Sequence, residues 1–224
     1  MPAILEKTFF SPAALLEAAQ HLLREELRRV STQSRAVIIS GGRTPLPIYH
    51  DIAQSASPAA PNVSVCFSDE RHVPAGSPES NYGNALPMLE ALRLPQERIL
   101  RVRTELSLEE AAADYDAALH AFLDRSGQIP LALLGIGPDG HTCSLFSDAD
   151  LERARERYAI PVTRPEPPHR VSVTPGLLAH VERVLFLVAV PDKDTIIRQL
   201  LEAPMSVVAG KAVADCPHVE LWRA

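Results

Sequence analysis

His141 ends the stretch Gly135-Ile136-Gly137-Pro138-Asp139-Gly140-His141, a glycine-dense turn that follows the apolar run 131–134. An imidazole titrates close enough to neutrality to accept a proton from water, so this position offers a general base. The plainer reading is a structural loop histidine. Asp139, two residues earlier, either fixes the imidazole tautomer or hydrogen-bonds the backbone of its own turn. Gly135, Gly137 and Gly140 also satisfy G-x-G-x-x-G, but Pro138 interrupts the pattern and no acidic residue ends the next predicted strand near Thr163. The dinucleotide reading is therefore weak. Cys143 reads as a small packed side chain, since closeness to His141 in sequence does not make a nucleophile and base pair.

A second turn, Ser40-Gly41-Gly42-Arg43-Thr44-Pro45, lies between the apolar run 36–39 and a predicted helix. Adjacent glycines there expose backbone N–H groups at a helix N-terminus, which favours a phosphate, and Ser40, Arg43 and Thr44 add hydroxyls and a charge. A tight structural turn fits the same residues. Asp69-Glu70-Arg71 follows a third apolar run, 63–67, and is either a solvated loop with local ion pairs or a place where Arg71 meets substrate charge and Asp69 a sugar hydroxyl. Arg170 at a strand start and Lys193 in a helix's first turn are ordinary surface charges, unless a dianion sits between Lys193 and the glycine turn. The other histidines show no metal-ligand spacing, so no metal site is expected.

Elements that must hold these turns follow from periodicity and punctuation. Ser11-Pro12 is an N-cap with proline at N1 for a helix running to about Val30, and Ser107-Leu108-Glu109-Glu110 is a capping box for another reaching about Asp124, stopped by Gly127. Strands are expected at 36–39, 63–67, 131–134, 159–163, 171–173, 184–190 and 206–209. Ser80 to Asn84 is read as loop, 164–169 as an exposed proline-rich connection, and 192–202 as a helix capped by Asp192. This alternation gives a doubly wound α/β sheet. With 224 residues, 46% hydrophobic and 22% charged, the chain suits one domain over 1–224. Its apolar runs are far too short to span a membrane, and a net charge of −6 without basic runs argues against nucleic acid as a partner. An N-terminus without a secretory pattern and three widely spaced cysteines point to the cytoplasm and reduced thiols.

With these residues in place, the chain resembles the 6-phosphogluconolactonases, and more widely the superfamily that includes glucosamine-6-phosphate deaminases and ribose-5-phosphate isomerases. The likeness covers nearly the whole chain. It rests on SGGRTP at 40–45, SDERHVP at 68–74, SNYGN at 80–84, LLGIGPDGHTCSLF at 133–146 and RVSVTP at 170–175, in family order. The resemblance implies a mostly parallel, Rossmann-like fold with helices on both faces. It implies a phosphate site from Gly41, Gly42, Thr44, Arg170 and Lys193, His141 as the base that activates water, and sugar or charge contacts from Asp69, Arg71 and Asn81. The substrate it implies is a phosphorylated sugar lactone, hydrolysed without a cofactor in the oxidative pentose phosphate pathway by a cytoplasmic monomer or small homo-oligomer. Two other functions remain beside it, a deaminase or isomerase and a non-catalytic sugar-phosphate sensor. In the deaminases the histidine loop continues into an Asn-Glu pair that supplies a ring-opening acid, where this chain has Ser144-Leu145-Phe146. Arg43 replaces a commoner small hydroxyl residue and Cys143 a commoner alanine.

Overall fold

The apolar runs form strands in the computed structural model, which describes residues 3–55, 57–154, 156–189 and 193–224. Ten strands are described: β1 (Ile4–Thr8), β2 (Arg35–Ile39), β3 (Val63–Phe67), β4 (Asp69–Arg71), β5 (Ile99–Leu100), β6 (Gln128–Leu134), β7 (Ala159–Val162), β8 (Arg170–Val173), β9 (Arg183–Val188) and β10 (His218–Arg223). Seven make a parallel sheet in the order β1-β10-β9-β6-β2-β3-β5, and β4-β8-β7 form a small antiparallel sheet. Strands β2 and β6 are buried on both faces, which is why they read as continuous apolar runs. Their side chains alternate between two cores. Val37, Ile39, Leu131 and Leu133 face one core, and Ala36, Ile38, Ala132 and Leu134 the other.

Helices cover both faces, as expected. On the first lie α1 (Pro12–Arg28), α2 (Leu46–Gln54) and α3 (Asn81–Ala91). The second carries α4 (Leu108–Asp124), α6 (Pro175–Leu178), α7 (Asp194–Glu202) and α8 (Val208–Ala212), with α5 (Asp148–Arg153) beside the loop that follows β6. The Ser11 cap and the Ser107–Glu110 capping box both form. From β2 the chain moves outward to β3 on one side, while β6 pairs with β2 on the other. The order therefore reverses between β2 and β6, and the crevice past their carboxyl ends is where an open α/β sheet binds ligands.

Several expectations are corrected. Asn81 does not lie in a loop: Ser80 caps α3 through its hydroxyl, and Asn81 is that helix's first residue. Residues 206–209 are not a strand but part of a 3-10 turn and α8, because Gly210 packs so closely on Pro204 that a methyl there would lie 2.1 Å from its carbonyl oxygen. Helix α1 stops at Arg28, where Arg29 turns extended and leaves Val30 exposed. Ser126, not Gly127, takes the left-handed conformation after α4. The Asp192 cap and the end of the strand expected at 184–190 lie outside the described residues.

One buried side chain completes the sheet beside the crevice. Among the described residues, strand β5 pairs with Val65 and Cys66 but not beyond, so Phe67 has no strand partner there on that side. Tyr115 of α4 fills the place, its hydroxyl donating to the Phe67 carbonyl at 2.6 Å and accepting from the Phe67 N–H at 2.9 Å. Tyr115→Phe leaves both buried groups unsatisfied and should lower stability by roughly 2–4 kcal/mol, read as a lower urea midpoint at constant slope. A loss below about 0.5 kcal/mol would show that water replaces the phenol.

Candidate active site

At the β2/β6 crevice lies a cleft of about 390 Å³. Its wall contains Ser40, Gly41, Gly42, Arg43 and Thr44 from the turn after β2, Asp69 and Arg71 from β4, Asn81 from α3, His141 from the loop after β6, Arg170 from β8 and Lys193 at the start of α7. All ten residues read as ligand contacts, and the expected base, therefore meet in one place. Asp139 stands just behind, against the imidazole. Ser68, Ser144, Phe146 and Arg164 also line the cleft. Nothing in local sequence spacing marked those four as parts of a site.

The glycine turn is held from below by Tyr49 of α2, whose buried hydroxyl donates to the Ser40 carbonyl at 2.7 Å. Gly42 takes a φ of +101°, a conformation that side chains resist. Gly41 has a different reason to be glycine, since a methyl on it would lie 1.8 Å from Asn81 Oδ1. Among the described residues, the backbone N–H groups of Gly41, Gly42, Arg43 and Thr44 donate to no protein acceptor. Donors left open at a helix entry are suited to an anion.

The histidine loop closes on itself through Gly137 N–H to His141 O at 2.8 Å and Gly140 N–H to Gly137 O at 3.0 Å. Gly140, at φ +83°, accepts from Ala209 N–H of α8 at 2.9 Å. His141 Nδ1 lies 2.5 Å from Asp139 Oδ1, which also accepts the His141 backbone N–H at 3.3 Å. With Nδ1–H donating to the carboxylate, Nε2 carries the lone pair. Burial raises the Asp139 carboxyl, but the hydrogen bond and charge of His141 outweigh it and hold the group below its ordinary range. Its stabilising contribution is thus full above the unfolded value, near pH 4, and is lost as pH falls through the lowered folded value.

Cations converge from two directions. Arg71 donates to Glu79 O at 2.6 Å and Arg170 to Pro168 O at 2.5 Å. Burial, then the neighbouring guanidiniums of Arg71 and Arg164, lower the Arg170 value. Lys193 Nζ donates to Ile136 O at 2.5 Å, and its value is lowered by burial and then by Arg43. Asp69 is the only acid in the wall among the described residues, and both its oxygens are engaged: Oδ1 by Ser68 Oγ at 2.8 Å and Oδ2 by Ser144 Oγ at 2.7 Å. Glu70 points the other way. It accepts the N–H groups of Arg71, Asn81 and Tyr82 and the Ser80 hydroxyl, so it fixes the start of α3.

Residues 11–217 match the family model described as glucosamine-6-phosphate isomerases/6-phosphogluconolactonase. A 6-phosphogluconolactonase of Rattus norvegicus is 31% identical over 97% of this chain and 90% of its own length, and one of Pseudomonas putida is 32% identical over 97% and 89%. The crystal structure of a 6-phosphogluconolactonase from Thermotoga maritima superposes with a TM-score of 0.75 at 27% identity, covering 99% of this chain and 98% of that one.

Gly137 provides a test of the loop, because a methyl there would lie 2.1 Å from His141 Nδ1 and 2.5 Å from Asp139 Oδ1. Gly137→Ala should push the imidazole off its carboxylate while the sheet stays folded, with the downfield Nδ1–H proton resonance disappearing from the NMR spectrum. A variant that keeps that resonance would show the loop yielding in some other direction.

Proposed function

The chain is a member of the glucosamine-6-phosphate isomerase/6-phosphogluconolactonase family, and we propose that it hydrolyses 6-phospho-D-glucono-1,5-lactone to 6-phospho-D-gluconate with His141 as the general base. The observation that carries this reading is the imidazole itself. Its Nδ1 is committed to Asp139, and the ring lines a cleft that also holds an open phosphate cradle.

A lactone carbonyl is already electrophilic, so hydrolysis needs a placed water, a base and charge stabilisation. Water attacks C1 as its proton passes to His141 Nε2, and the carbonyl oxygen takes on the negative charge. When the tetrahedral intermediate collapses, the C1–O5 bond breaks and the proton on Nε2 passes to O5. Asp139 keeps the tautomer and steadies the imidazolium formed between these steps. The glycine turn, Thr44, Arg170 and Lys193 hold the phosphate, so that binding energy remote from C1 orients the ester. Arg71 and Asn81 contact the sugar or its charge, and Asp69 orients the wall.

A deaminase is disfavoured by the same wall. Its ring-opening acid has no counterpart in the loop after His141, where Thr142, Cys143, Ser144, Leu145 and Phe146 follow. The remaining acid, Asp69, has both oxygens occupied. Three unpaired thiols suit the cytoplasm as the enzyme's place of work.

Lactone hydrolysis, measured above the spontaneous rate, tests the proposal. His141→Ala should lower kcat by about 10²–10⁴-fold with KM changed little. Arg170→Ala should instead raise KM with a smaller loss of kcat. A wild-type protein that deaminates glucosamine 6-phosphate but leaves the lactone at its spontaneous rate would overturn the assignment, and wild-type turnover by the histidine variant would remove His141 from it.

A further inference from the structure

Arg164 begins the proline-rich arm between β7 and β8, yet its guanidinium lines the cleft. That group lies 4.0 Å from the centroid of the Phe146 ring, and the same ring lies 4.5 Å from that of His141. The Phe146 backbone is held beside it, its N–H donating to Asp150 Oδ2 at 3.0 Å next to the Ser147–Asp150 capping box of α5. Base, aromatic ring and guanidinium therefore lie in one row of contacts, with the imidazole tilted 47° to the phenyl ring.

The other cations bordering this part of the wall are partly committed to protein carbonyls, Arg71 to Glu79, Arg170 to Pro168 and His169, and Lys193 to Ile136. Among the described residues the Arg164 guanidinium makes no hydrogen bond and no ion pair. Only its backbone N–H is engaged, by His169 Nδ1 at 3.2 Å. A guanidinium seated over a ring is held there by cation–π attraction while its N–H donors stay free, and that planar set of donors matches two oxygens on one carbon. Among the described residues the Arg43 side chain also lacks a hydrogen-bond or ion-pair partner, but it belongs to the glycine turn and neighbours Lys193.

We propose that Arg164, held on Phe146, contacts the negative charge that forms on the lactone carbonyl oxygen and then holds the product's carboxylate. The proposal rests on the lactonase reading and deepens it by naming a contact at the reacting carbon. As the water oxygen bonds C1, the carbonyl electron pair moves onto its oxygen. That pair re-forms the C=O bond as C1–O5 breaks, and the acid left at C1 ionises to solvent. Charge thus develops on the exocyclic oxygens, while the pair released to O5 is met by the proton from the imidazole.

The test compares two ligands with the same phosphate, 6-phosphogluconate with its carboxylate at C1 and glucitol 6-phosphate with a neutral carbon there. Arg164→Ala should lower kcat by about 10²-fold with the lactone KM within about threefold, as expected for a lost oxyanion donor. By calorimetry it should weaken 6-phosphogluconate at least about tenfold and glucitol 6-phosphate less than about twofold, the signature of a charge-assisted bond to one end of the ligand. Arg164→Lys should recover part of the kcat, and Phe146→Leu should show the same ligand selectivity at smaller size. Equal weakening of both ligands would assign Arg164 to the phosphate or to general structure and overturn the proposal. So would unchanged kcat and an unchanged ligand ratio. Either result leaves the lactonase reading standing, whereas wild-type protein without lactonase activity would remove that reading directly.

Discussion

The shape of the cleft depends on one buried carboxylate, Asp69. It begins β4, one residue beyond the end of β3, accepts the hydroxyls of Ser68 and Ser144, and its carbonyl accepts Asn81 Nδ2 at 2.8 Å. Ser144 in turn takes its backbone position from Ser172 Oγ of β8 at 3.0 Å. One charge therefore joins the end of β3, the first turn of α3, the histidine loop and the small sheet. Taking a carboxylate out of water costs several kcal/mol, which is offset only while all its donors are in place. Movement of any one of these loops exposes the others to that cost. The glycine turn joins the same knot by steric contact, since Asn81 fills the space where Gly41 would carry a side chain. Asn81 Oδ1 is buried there without a protein partner among the described residues.

How much of this was legible in the sequence follows from what kind of signal each part leaves. Strands β2, β3 and β6 are buried on both faces, so their apolar runs and the turns after them could be read directly, and with them most of the cleft. Strands β1 and β10 could not be read that way. β1 is an exposed edge that reads ILEKT, and β10 carries His218, Glu220 and Arg223 among its apolar residues. The β-branched pair Val207-Val208 imitates a strand, but close packing of Gly210 on Pro204 turns that segment into a helix. Ser144, Phe146 and Arg164 escaped for another reason. Their importance lies in what they touch across 75, 5 and 18 positions of chain, Asp69, His141 and Phe146, and sequence spacing carries no record of such meetings.

The chain bears a net charge of −6, yet the described cleft wall gathers Arg43, Arg71, Arg164, Arg170 and Lys193 around a single acid. Such a local excess of positive charge is unfavourable in an empty site, and the lowered values of Arg170 and Lys193 record the strain, with burial as the larger cause and neighbouring cations as the second. An anion relieves both. The two groups of cations also differ in their electrostatic neighbours: Arg170 responds to Arg71 and Arg164, Lys193 to Arg43.

Lys193 also ties the start of α7 to the histidine loop. Its ammonium donates to Ile136 O within the histidine loop, and the segment that follows it packs on the same loop from the other side. There Ala209 N–H donates to Gly140 O, and Val207 and Ile196 leave no room for a side chain at position 140. The loop is therefore gripped twice by one stretch of chain. In the proposed reaction, a phosphate on Lys193 would sit on the same ammonium that donates to the loop carrying the imidazole. On that proposal, binding energy remote from the reacting carbon would serve placement at it.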